Sequence, residues 1–183
     1  MTIKRMLNKS LLGCLGLLLY TASLFGTVKV TLDSSNLPIM IVVTKSSKVN
    51  LDTGYAYHDC YVWLIDNGPG KYNYVKDSAK FRYFGAFKLH GASSLSFDKK
   101  SYAMQLEDSN WNITDKSLLG MPIEHDWDLI GNYMDRSLIR NILGQHVFQA
   151  MGNYSPRFKN IEMVVNKDYR GVYTFLEKAK RGS

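Results

Sequence analysis

Cysteine is scarce in this chain of 183 residues, which contains only Cys14 and Cys60. Cys14 lies in an apolar run, residues 11–25, which follows basic residues as the apolar core of a secretory signal does. Removal of a signal at residues 1–26 leaves Cys60 alone, so an internal disulfide is excluded. The run is too short for a comfortable membrane span. We therefore expect an exported protein, with an uncleaved signal anchor as the alternative and as its one membrane contact.

The chain also lacks a basic stripe interleaved with aromatic residues, although its formal net charge is +7. Part of that charge lies in the first ten residues and in the carboxy-terminal tail. A surface that binds nucleic acid combines basic and stacking residues along one face. The sequence therefore predicts an anionic partner, such as a nucleotide, and no nucleic acid.

Several catalytic patterns are absent as well. No G-x-S-x-G is present, and the four histidines have no metal-ligand spacing to a cysteine or to each other, so a hydrolase or a zinc site is not expected. Asp126 and Asp128 flank Trp127 at alternating spacing. Such a pair can bind a metal, but a solvated pair at a strand edge is the favoured interpretation. No metal ligand is predicted in this chain.

The strongest positive feature is residues 88–107, where an alternating strand meets a Gly-Ser turn, a lysine pair and a second alternating strand. The turn contains Gly91, Ser93 and Ser94, whose backbone N–H groups and hydroxyls suit an anion. Lys99 and Lys100 follow at the start of the next strand, where an ammonium group could neutralise a phosphate. Any nucleotide site is expected here.

Period-two patterns predict strands at residues 37–44, 56–65, 81–90, 101–107 and 127–130, and a final hairpin at 158–166 and 172–177. One helix is predicted from Asp135, as its N-cap, to Gly152. Its buried stripe is expected to comprise Ile139, Ile142, Leu143, His146, Val147 and Ala150. The predicted fold class is α+β, a mainly antiparallel sheet with one principal helix.

Three segments together resemble the CotH kinase family: GASSLSFDKKSYAMQLED, LLGMPIEHDWDLIGNYMDRSLIRN and IEMVVNKDYRGVYTFLEKAKR. The family comprises spore-coat and secreted proteins with an atypical protein-kinase-like fold. The resemblance covers residues 37–183 and implies an amino-terminal lobe similar to the small lobe of a protein kinase. It also implies phosphotransfer from ATP, with Mg²⁺ or Mn²⁺, to secreted or coat proteins.

By this resemblance, Gly91, Ser93 and Ser94 would lie over the nucleotide phosphates. Lys100 would pair with the phosphates as the strand lysine of a kinase does. Lys99 is the alternative, because alternation places only one of the two lysines on the nucleotide side.

Residues 172–178 resemble the last strand and hinge of a kinase small lobe, which would bring Glu177 close to the adenine. The sequence departs from the protein-kinase pattern in two ways. The phosphate turn is not G-x-G-x-x-G, and the helix offers no glutamate for the strand lysine. Asp135 or Arg140 could join the ion-pair network instead; a helix cap and a solvated side chain are the alternative roles.

The metal-binding aspartates of the family come from a second lobe, which has no counterpart after residue 178 here. The resemblance therefore implies an amino-terminal portion that is weak or inactive alone. A different class of function needs no such carboxylates. In that alternative the protein is a non-catalytic secreted binding or adhesion protein, or a structural component of the spore coat.

Overall fold

The computed structural model describes residues 31–180, so the expected signal at residues 1–26 lies outside the described part. Seven strands form a closed barrel in the order β10-β11-β9-β6-β5-β3-β2. Their bounds are β2 Ile39–Thr44, β3 His58–Ile65, β5 Phe81–His90, β6 Ser101–Glu107, β9 Asp126–Ile130, β10 Phe158–Val165 and β11 Asp168–Glu177. Neighbouring strands are antiparallel, except that β10 and β2 pair in parallel and close the barrel.

Four short strands and one helix lie outside the barrel. The strands form two pairs, β1 Ser34–Ser35 with β4 Asn73–Tyr74, and β7 Lys116–Ser117 with β8 Ile123–Glu124. The helix α1 spans Arg140–Ala150, and a 3-10 turn spans Ser93–Ser96. Within residues 31–180, no helix has both the length and the apolarity that a membrane crossing requires.

The predicted fold class is wrong in its architecture. An α+β domain like a kinase small lobe requires an open sheet with a packed helix, whereas the described chain is mostly β and closes into a barrel with one helix. The closure depends on the parallel pairing of Ile39 with Glu162 and Val42 with Val165. Because these partners are far apart in the chain, no local pattern indicated that they would meet.

The barrel is filled by side chains that alternate along each strand. On β9, Trp127 and Leu129 are fully buried in the core, and their neighbours Asp126 and Asp128 point to the outer face. Trp127 stacks on Phe175 of β11 with ring centroids 4.8 Å apart. The interior is therefore a packed hydrophobic core, and any site must lie on the outer face or at an end.

The barrel has a Gly91 end and a Glu177 end, which differ in the strands that begin and finish there. At the Gly91 end, β5 ends, β6 begins, β9 ends and β11 begins, so the loop of residues 91–100 lies there. At the Glu177 end, β11 finishes and β9 begins. Buried Leu51 belongs to a loop at the first end, and buried Leu118 belongs to a loop at the second.

The helix differs from its prediction. It begins at Arg140, five residues after the predicted cap, and none of its residues is buried. Leu143 and Val147, expected in a buried stripe, are 59% and 52% exposed. The prediction of a buried apolar face is therefore wrong. The ring of His146 contacts Phe158 of β10 edge-on, at 5.1 Å between centroids.

Candidate functional site

The loop that follows β5 is shaped by one glycine. Gly91 has φ +103°, and a Cβ at this position would lie 2.1 Å from the Ser94 hydroxyl oxygen. That hydroxyl donates to the carbonyl of His90 at 3.4 Å. Both the backbone conformation and the space therefore require glycine here. Ser94 is partly buried beside a cavity, whereas Ser93 is exposed.

The two lysines of the loop point to different partners. Lys100 Nζ donates to the carbonyls of Leu95 at 2.8 Å and Phe97 at 2.6 Å, so it holds the 3-10 turn of its own loop. Lys99 Nζ donates to the carbonyl of Val172 on β11 at 2.5 Å. Lys99 lines the cavity beside Ser94, and Lys100 does not.

Lys99 lies in a partly apolar environment. Its ammonium nitrogen is 4.6 Å from the centroid of the Tyr173 ring. Burial lowers the pKa of Lys99, and the negative charge of Glu162 partly offsets that effect. Among residues 31–180, no carboxylate forms an ion pair with Lys99. The contacts of the Lys99 ammonium are therefore carbonyl and ring dipoles, and Glu162 acts on it only from a distance.

The cavity has a volume of about 280 Å³ and brings together residues from several elements. Ser94 and Lys99 come from the loop, Ile130 comes from the end of β9, and Arg140 comes from the start of α1. Four predicted site residues line it: Ser94, Lys99, Asp135 and Arg140. The stacked rings of Phe97 and Tyr133 form an aromatic wall, with centroids 5.1 Å apart.

Asp135 and Arg140 have different roles at the cavity. Asp135 Oδ1 accepts hydrogen bonds from the Ser137 hydroxyl at 2.5 Å and the Ser137 N–H at 3.1 Å. Its Oδ2 accepts the Arg140 N–H at 2.8 Å. The Ser137 hydroxyl and the Arg140 backbone N–H lower the pKa of Asp135. The Arg140 side chain is 80% exposed, with Nε 3.6 Å from Asp135 Oδ1, so its guanidinium is accessible.

A chain of polar side chains fixes the floor of the cavity to the outer face of the barrel. Asn141 donates to Asn132 at 2.7 Å, and Asn132 donates to the Thr174 hydroxyl at 2.8 Å. Thr174 in turn donates to Asn160 at 3.2 Å. These contacts join the start of α1 to β11 and β10. Asn132 was missed in the sequence, because an isolated loop asparagine carries no pattern.

Glu177 lies at the other end of the barrel. It is five residues beyond Val172 along β11, a distance of about 16 Å at the rise of an extended strand. Its carboxylate is 5% exposed and accepts the Arg157 N–H at 3.0 Å and the Tyr154 hydroxyl at 3.2 Å. Glu177 therefore does not share the cavity, and its visible role is to anchor the segment between α1 and β10.

A larger cavity of about 740 Å³ lies between α1 and β10, lined by His146, Arg157 and Phe158 among others. Its arginine faces Glu177, with Nη1 and Oε1 3.4 Å apart. The smaller cavity is the better candidate site, because its ammonium, that of Lys99, is half-buried and has no carboxylate partner among residues 31–180, whereas Lys159 at the larger cavity is exposed to water. Volume alone does not attract an anion, whereas unbalanced positive charge does.

The predicted solvation of Asp126 and Asp128 is wrong. The two residues are only 9% and 8% exposed, because the outer face around them is covered by neighbouring side chains. Asp126 accepts a hydrogen bond from Gln105 at 3.1 Å. Asp128 Oδ1 is buried without a hydrogen bond from any described residue, and His90 Nδ1 lies 3.4 Å away.

Comparison with known protein families identifies the family of this chain. The model of the family described as CotH kinase protein matches residues 87–183, more than half of the chain. The chain belongs to the CotH kinase family. The matched part begins just before the loop of residues 91–100 and includes every residue that lines the candidate cavity. Among curated proteins, no match was found.

Proposed function

We propose that this CotH kinase family protein binds ATP through its phosphates in the cavity at the Gly91 end. In this proposal the chain takes part in phosphotransfer from ATP to a secreted or spore-coat protein. The family supports a kinase-like activity. The observation that carries the proposal is the meeting of Ser94, Lys99 and Arg140 in one cavity. These side chains offer a hydroxyl, an ammonium and a guanidinium, which are the groups that bind phosphate oxygens.

The size of the cavity indicates which part of the nucleotide it holds. Pockets that enclose a whole drug-sized ligand have volumes of about 300–1,000 Å³, and this cavity measures about 280 Å³. It fits a polyphosphate group better than a complete nucleotide. We therefore place the phosphates between the loop and Arg140, with the base and the ribose outside the cavity.

Lys99, and not Lys100, is proposed as the phosphate-binding lysine. Lys100 Nζ already has two carbonyl partners that hold its own loop. Lys99 Nζ has one carbonyl partner and lines the cavity, so it can donate further hydrogen bonds to a phosphate. The half-buried position of Lys99 also strengthens its attraction for an anion, because screening by water is reduced.

The test is a titration of the purified chain with ATP, followed by calorimetry or by the fluorescence of a nucleotide analogue. Lys99→Ala is expected to weaken binding about tenfold or more, since a charge-assisted hydrogen bond contributes about 1.5–3 kcal/mol. Lys71→Ala, which removes an exposed lysine elsewhere, is the matched control and is expected to change affinity less than twofold. Equal losses in both variants would show that overall charge binds ATP, without a defined site.

Lys100→Ala tests whether Lys100 holds its own loop or contacts the phosphates. Removing Lys100 releases the 3-10 turn, so a fall in melting temperature is expected together with any loss of affinity. Lys99→Ala is expected to reduce affinity with a smaller effect on melting. If Lys100→Ala abolishes ATP binding while the melting temperature stays unchanged, the phosphate contact belongs to Lys100.

A binding role without phosphotransfer is the second candidate, and the exposed apolar residues of α1 favour it. Leu143, Val147 and Phe148 are 59%, 52% and 48% exposed. Apolar groups clustered on one surface are typical of protein contact sites. A protein that gives no response to ATP, yet keeps its affinity for a coat protein, would support this role over the kinase-like one.

Export is proposed for the same protein. The basic residues Lys4, Arg5 and Lys9 precede the apolar run at residues 11–25, as in a secretory signal. Amino-terminal sequencing of the protein recovered from the medium or the envelope tests this. Cleavage near Gly26 is expected, whereas an intact amino terminus in a membrane fraction would indicate a signal anchor.

A further inference from the structure

The helix α1 presents an apolar surface that no residue of 31–180 covers. This surface, the α1 stripe, comprises Ile139, Leu143, Val147, Phe148 and Met151, which are 48% to 71% exposed. Residues four apart lie on the same side of a helix, so all of these except Phe148 form one row. None of the residues of α1 is buried. Exposed apolar groups that cluster in this way mark contact sites for other molecules.

The helix is too short to be stable through its own backbone. It contains 11 residues, and Gly144 near its middle lowers its intrinsic helical stability. Helices shorter than about 12–15 residues are marginal in water, and most of their stability in proteins comes from burial of an apolar face. The hydrogen-bonded anchors of α1 are polar: Asn141 bonds to Asn132 at 2.7 Å, and Gln149 donates to the Ser155 carbonyl at 3.3 Å. A partner that covers the α1 stripe would therefore stabilise the helix.

Two recesses beside the α1 stripe can receive apolar side chains. The cavity of about 740 Å³ between α1 and β10 is lined by Met121, Ile142 and Phe158 among others. A volume of this size holds a drug-sized ligand, and so it holds several side chains of a polypeptide. On the other side of the stripe, a recess of about 420 Å³ lies at Gly144, between Arg140 and Phe148. The α1 stripe therefore runs between two recesses, as in a groove that binds an amphipathic segment.

The surface around α1 is positively charged. Residues 136–159 contain no aspartate or glutamate, and they contain four cations: Arg136, Arg140, Arg157 and Lys159. Arg136 and Lys159 are exposed, and neither forms an ion pair with another residue of 31–180. Their charges can therefore attract the carboxylates of another molecule.

The nearest carboxylates along the chain do not neutralise these two cations. Asp135 accepts hydrogen bonds from its own loop and from the start of α1. Glu162 is buried and accepts the hydroxyl groups of Ser35 at 3.0 Å and Tyr169 at 2.7 Å. A second copy of this chain would bring the same cations, so charge repulsion disfavours it as the occupant. Opposite charge favours a partner that carries carboxylates.

We propose that the α1 stripe and the cavity between α1 and β10 bind an acidic amphipathic segment of a partner protein. Apolar side chains of the segment lie on Leu143 and Val147 and enter the cavity, and its carboxylates meet Arg136 and Lys159. The binding mode is that of a helix that lays its apolar face in a groove. Apolar burial supplies the affinity, and the charges select the partner. This docking goes beyond the proposed ATP binding and does not require it.

The experiment measures binding of three synthetic helical peptides to the purified chain by fluorescence anisotropy, without nucleotide. The first peptide carries leucine or phenylalanine at positions i, i+3, i+4 and i+7, with glutamate on the flanks. The second has lysine in place of each glutamate, and the third has serine in place of each apolar residue. The first peptide is expected to bind about tenfold more tightly than either of the others. Equal affinities for the first and second peptides would exclude an acidic partner.

Substitutions on the surface locate the contact. Leu143→Ser is expected to weaken binding of the acidic peptide about fivefold, since about half of a leucine side chain becomes buried on binding. Ile113→Ser is the matched control, because Ile113 is 57% exposed, close to the 59% of Leu143, but lies in the loop after β6. Its affinity should stay within about twofold of the wild type. Equal losses in the two variants would contradict docking on α1.

The charge on the surface has its own pair of variants. Lys159→Gln is expected to reduce the affinity for the acidic peptide about threefold and to weaken its dependence on salt. Lys71→Gln, which removes an exposed lysine elsewhere, should change neither quantity. A salt dependence that both variants reduce equally would assign the attraction to the net charge of the chain and overturn the charge selection.

Unwinding of α1 is a second way in which Leu143→Ser could weaken binding, and Gly144→Ala separates the two causes. No atom lies within 4 Å of a Cβ at Gly144, so alanine fits there and raises the helix propensity. Leu143→Ser combined with Gly144→Ala is expected to bind as weakly as Leu143→Ser alone. Recovery of wild-type affinity in the combined variant would show that Leu143 acts on the helix and not at the interface.

Sedimentation of the free chain tests the second copy as the occupant. A monomer is expected, and a dimer that Leu143→Ser dissociates would place a second copy on the α1 stripe and overturn the proposal. Binding of none of the peptides at millimolar concentration would also overturn it, while leaving the proposed ATP site untouched. A chain that ignores ATP but binds the acidic peptide would refute the proposed ATP binding and support the docking surface.

Discussion

The positive charges at the Glu177 end of the barrel and that of Lys99 at the candidate cavity are balanced in different ways, although Arg170 at the Gly91 end is paired with Asp52 and Asp168. Near the Glu177 end, cations meet carboxylates: Arg157 faces Glu177, and Lys180 contacts Glu124 and Asp126. At the cavity of the Gly91 end, Lys99 donates to a neutral carbonyl instead. A carbonyl satisfies the hydrogen-bonding need of an ammonium group but leaves its charge uncancelled. The first arrangement stabilises the fold, and the second retains attraction for an anion.

The presence or absence of a carboxylate partner distinguishes charges that stabilise the fold from charges that bind a ligand more reliably than exposure does. Arg140 and Arg157 are both largely exposed, at 80% and 54% of their side chains. Arg140 lies at a cavity whose other cation, Lys99, is half-buried and has no carboxylate partner among residues 31–180, whereas the lysine at the cavity of Arg157, Lys159, is exposed. The contrast predicts which substitutions reduce stability and which reduce ATP affinity.

The largest effect is expected for Glu177→Ala. The buried carboxylate accepts the Arg157 N–H and the Tyr154 hydroxyl; its loss leaves the part-buried Arg157 N–H without its acceptor, whereas the hydroxyl of exposed Tyr154 can turn to water. A fall of about 1–3 kcal/mol in the free energy of unfolding is expected. ATP affinity at the opposite end should stay within twofold of the wild type. Urea denaturation and calorimetry measure the two quantities, and a loss of affinity in a folded variant would place Glu177 in the nucleotide site.

Two arginine substitutions test the difference between the two ends of the barrel directly. Arg140→Ala is expected to weaken ATP binding about tenfold, about 1.4 kcal/mol of binding free energy, with little change in melting temperature. Arg157→Ala is expected to leave ATP binding unchanged and to lower the melting temperature slightly, because it removes the contact with Glu177. A reversed outcome would move the anion site to the larger cavity beside α1.

Whether a feature could be predicted from the sequence depends on how far apart its interacting residues lie along the chain. The predicted strands at residues 81–90 and 101–107 are confirmed as Phe81–His90 and Ser101–Glu107. Alternation of apolar residues and the turn at Gly91 are local signals, so they can be read from one segment. The convergence of Ser94 and Lys99 follows from the same loop.

The remaining features depend on contacts between distant segments. Barrel closure requires the parallel pairing of β2 with β10, which no local pattern encodes. The outward exposure of α1 could not be predicted either, because an apolar stripe looks the same whether or not a partner covers it. Burial of Asp128 depends on its neighbours in the sheet, Ala103 and His90, which come from other strands.

A smaller effect is expected at the start of α1 when the pH is lowered. Hydrogen bonds from the Ser137 hydroxyl and the Arg140 N–H lower the pKa of Asp135. A lowered pKa in the folded state contributes stability above the unfolded value of about 4, and that stability is lost as pH falls towards the folded value. The amide signal of Arg140 in NMR spectra should therefore shift below about pH 4. The shift should vanish in Asp135→Asn, and an identical titration in both would exclude Asp135 as its source.

The smallest effect is expected for Lys180→Ala. Lys180 Nζ lies 2.7 Å from Glu124 and 3.2 Å from Asp126, with 41% of the side chain exposed. Exposed ion pairs of this kind contribute about 0–1 kcal/mol, and salt weakens them. We expect a loss near 0.5 kcal/mol that disappears in high salt. ATP affinity should not change, because this cation is already neutralised by carboxylates.

The pH dependence of the stability of Lys180→Ala tests whether Lys180, unlike Lys99, is neutralised by carboxylates. Burial raises the pKa of Glu124, but the hydrogen bond from Lys180 and those from the backbone N–H groups of Asp126 and His125 together lower that pKa overall. Without Lys180, the pKa of Glu124 in the folded state rises, so its contribution to stability above about pH 4.3 becomes smaller. Denaturation at neutral pH and at acid pH should therefore differ less in Lys180→Ala than in the wild type. A larger pH difference in the variant would mean that Lys180 does not neutralise these carboxylates.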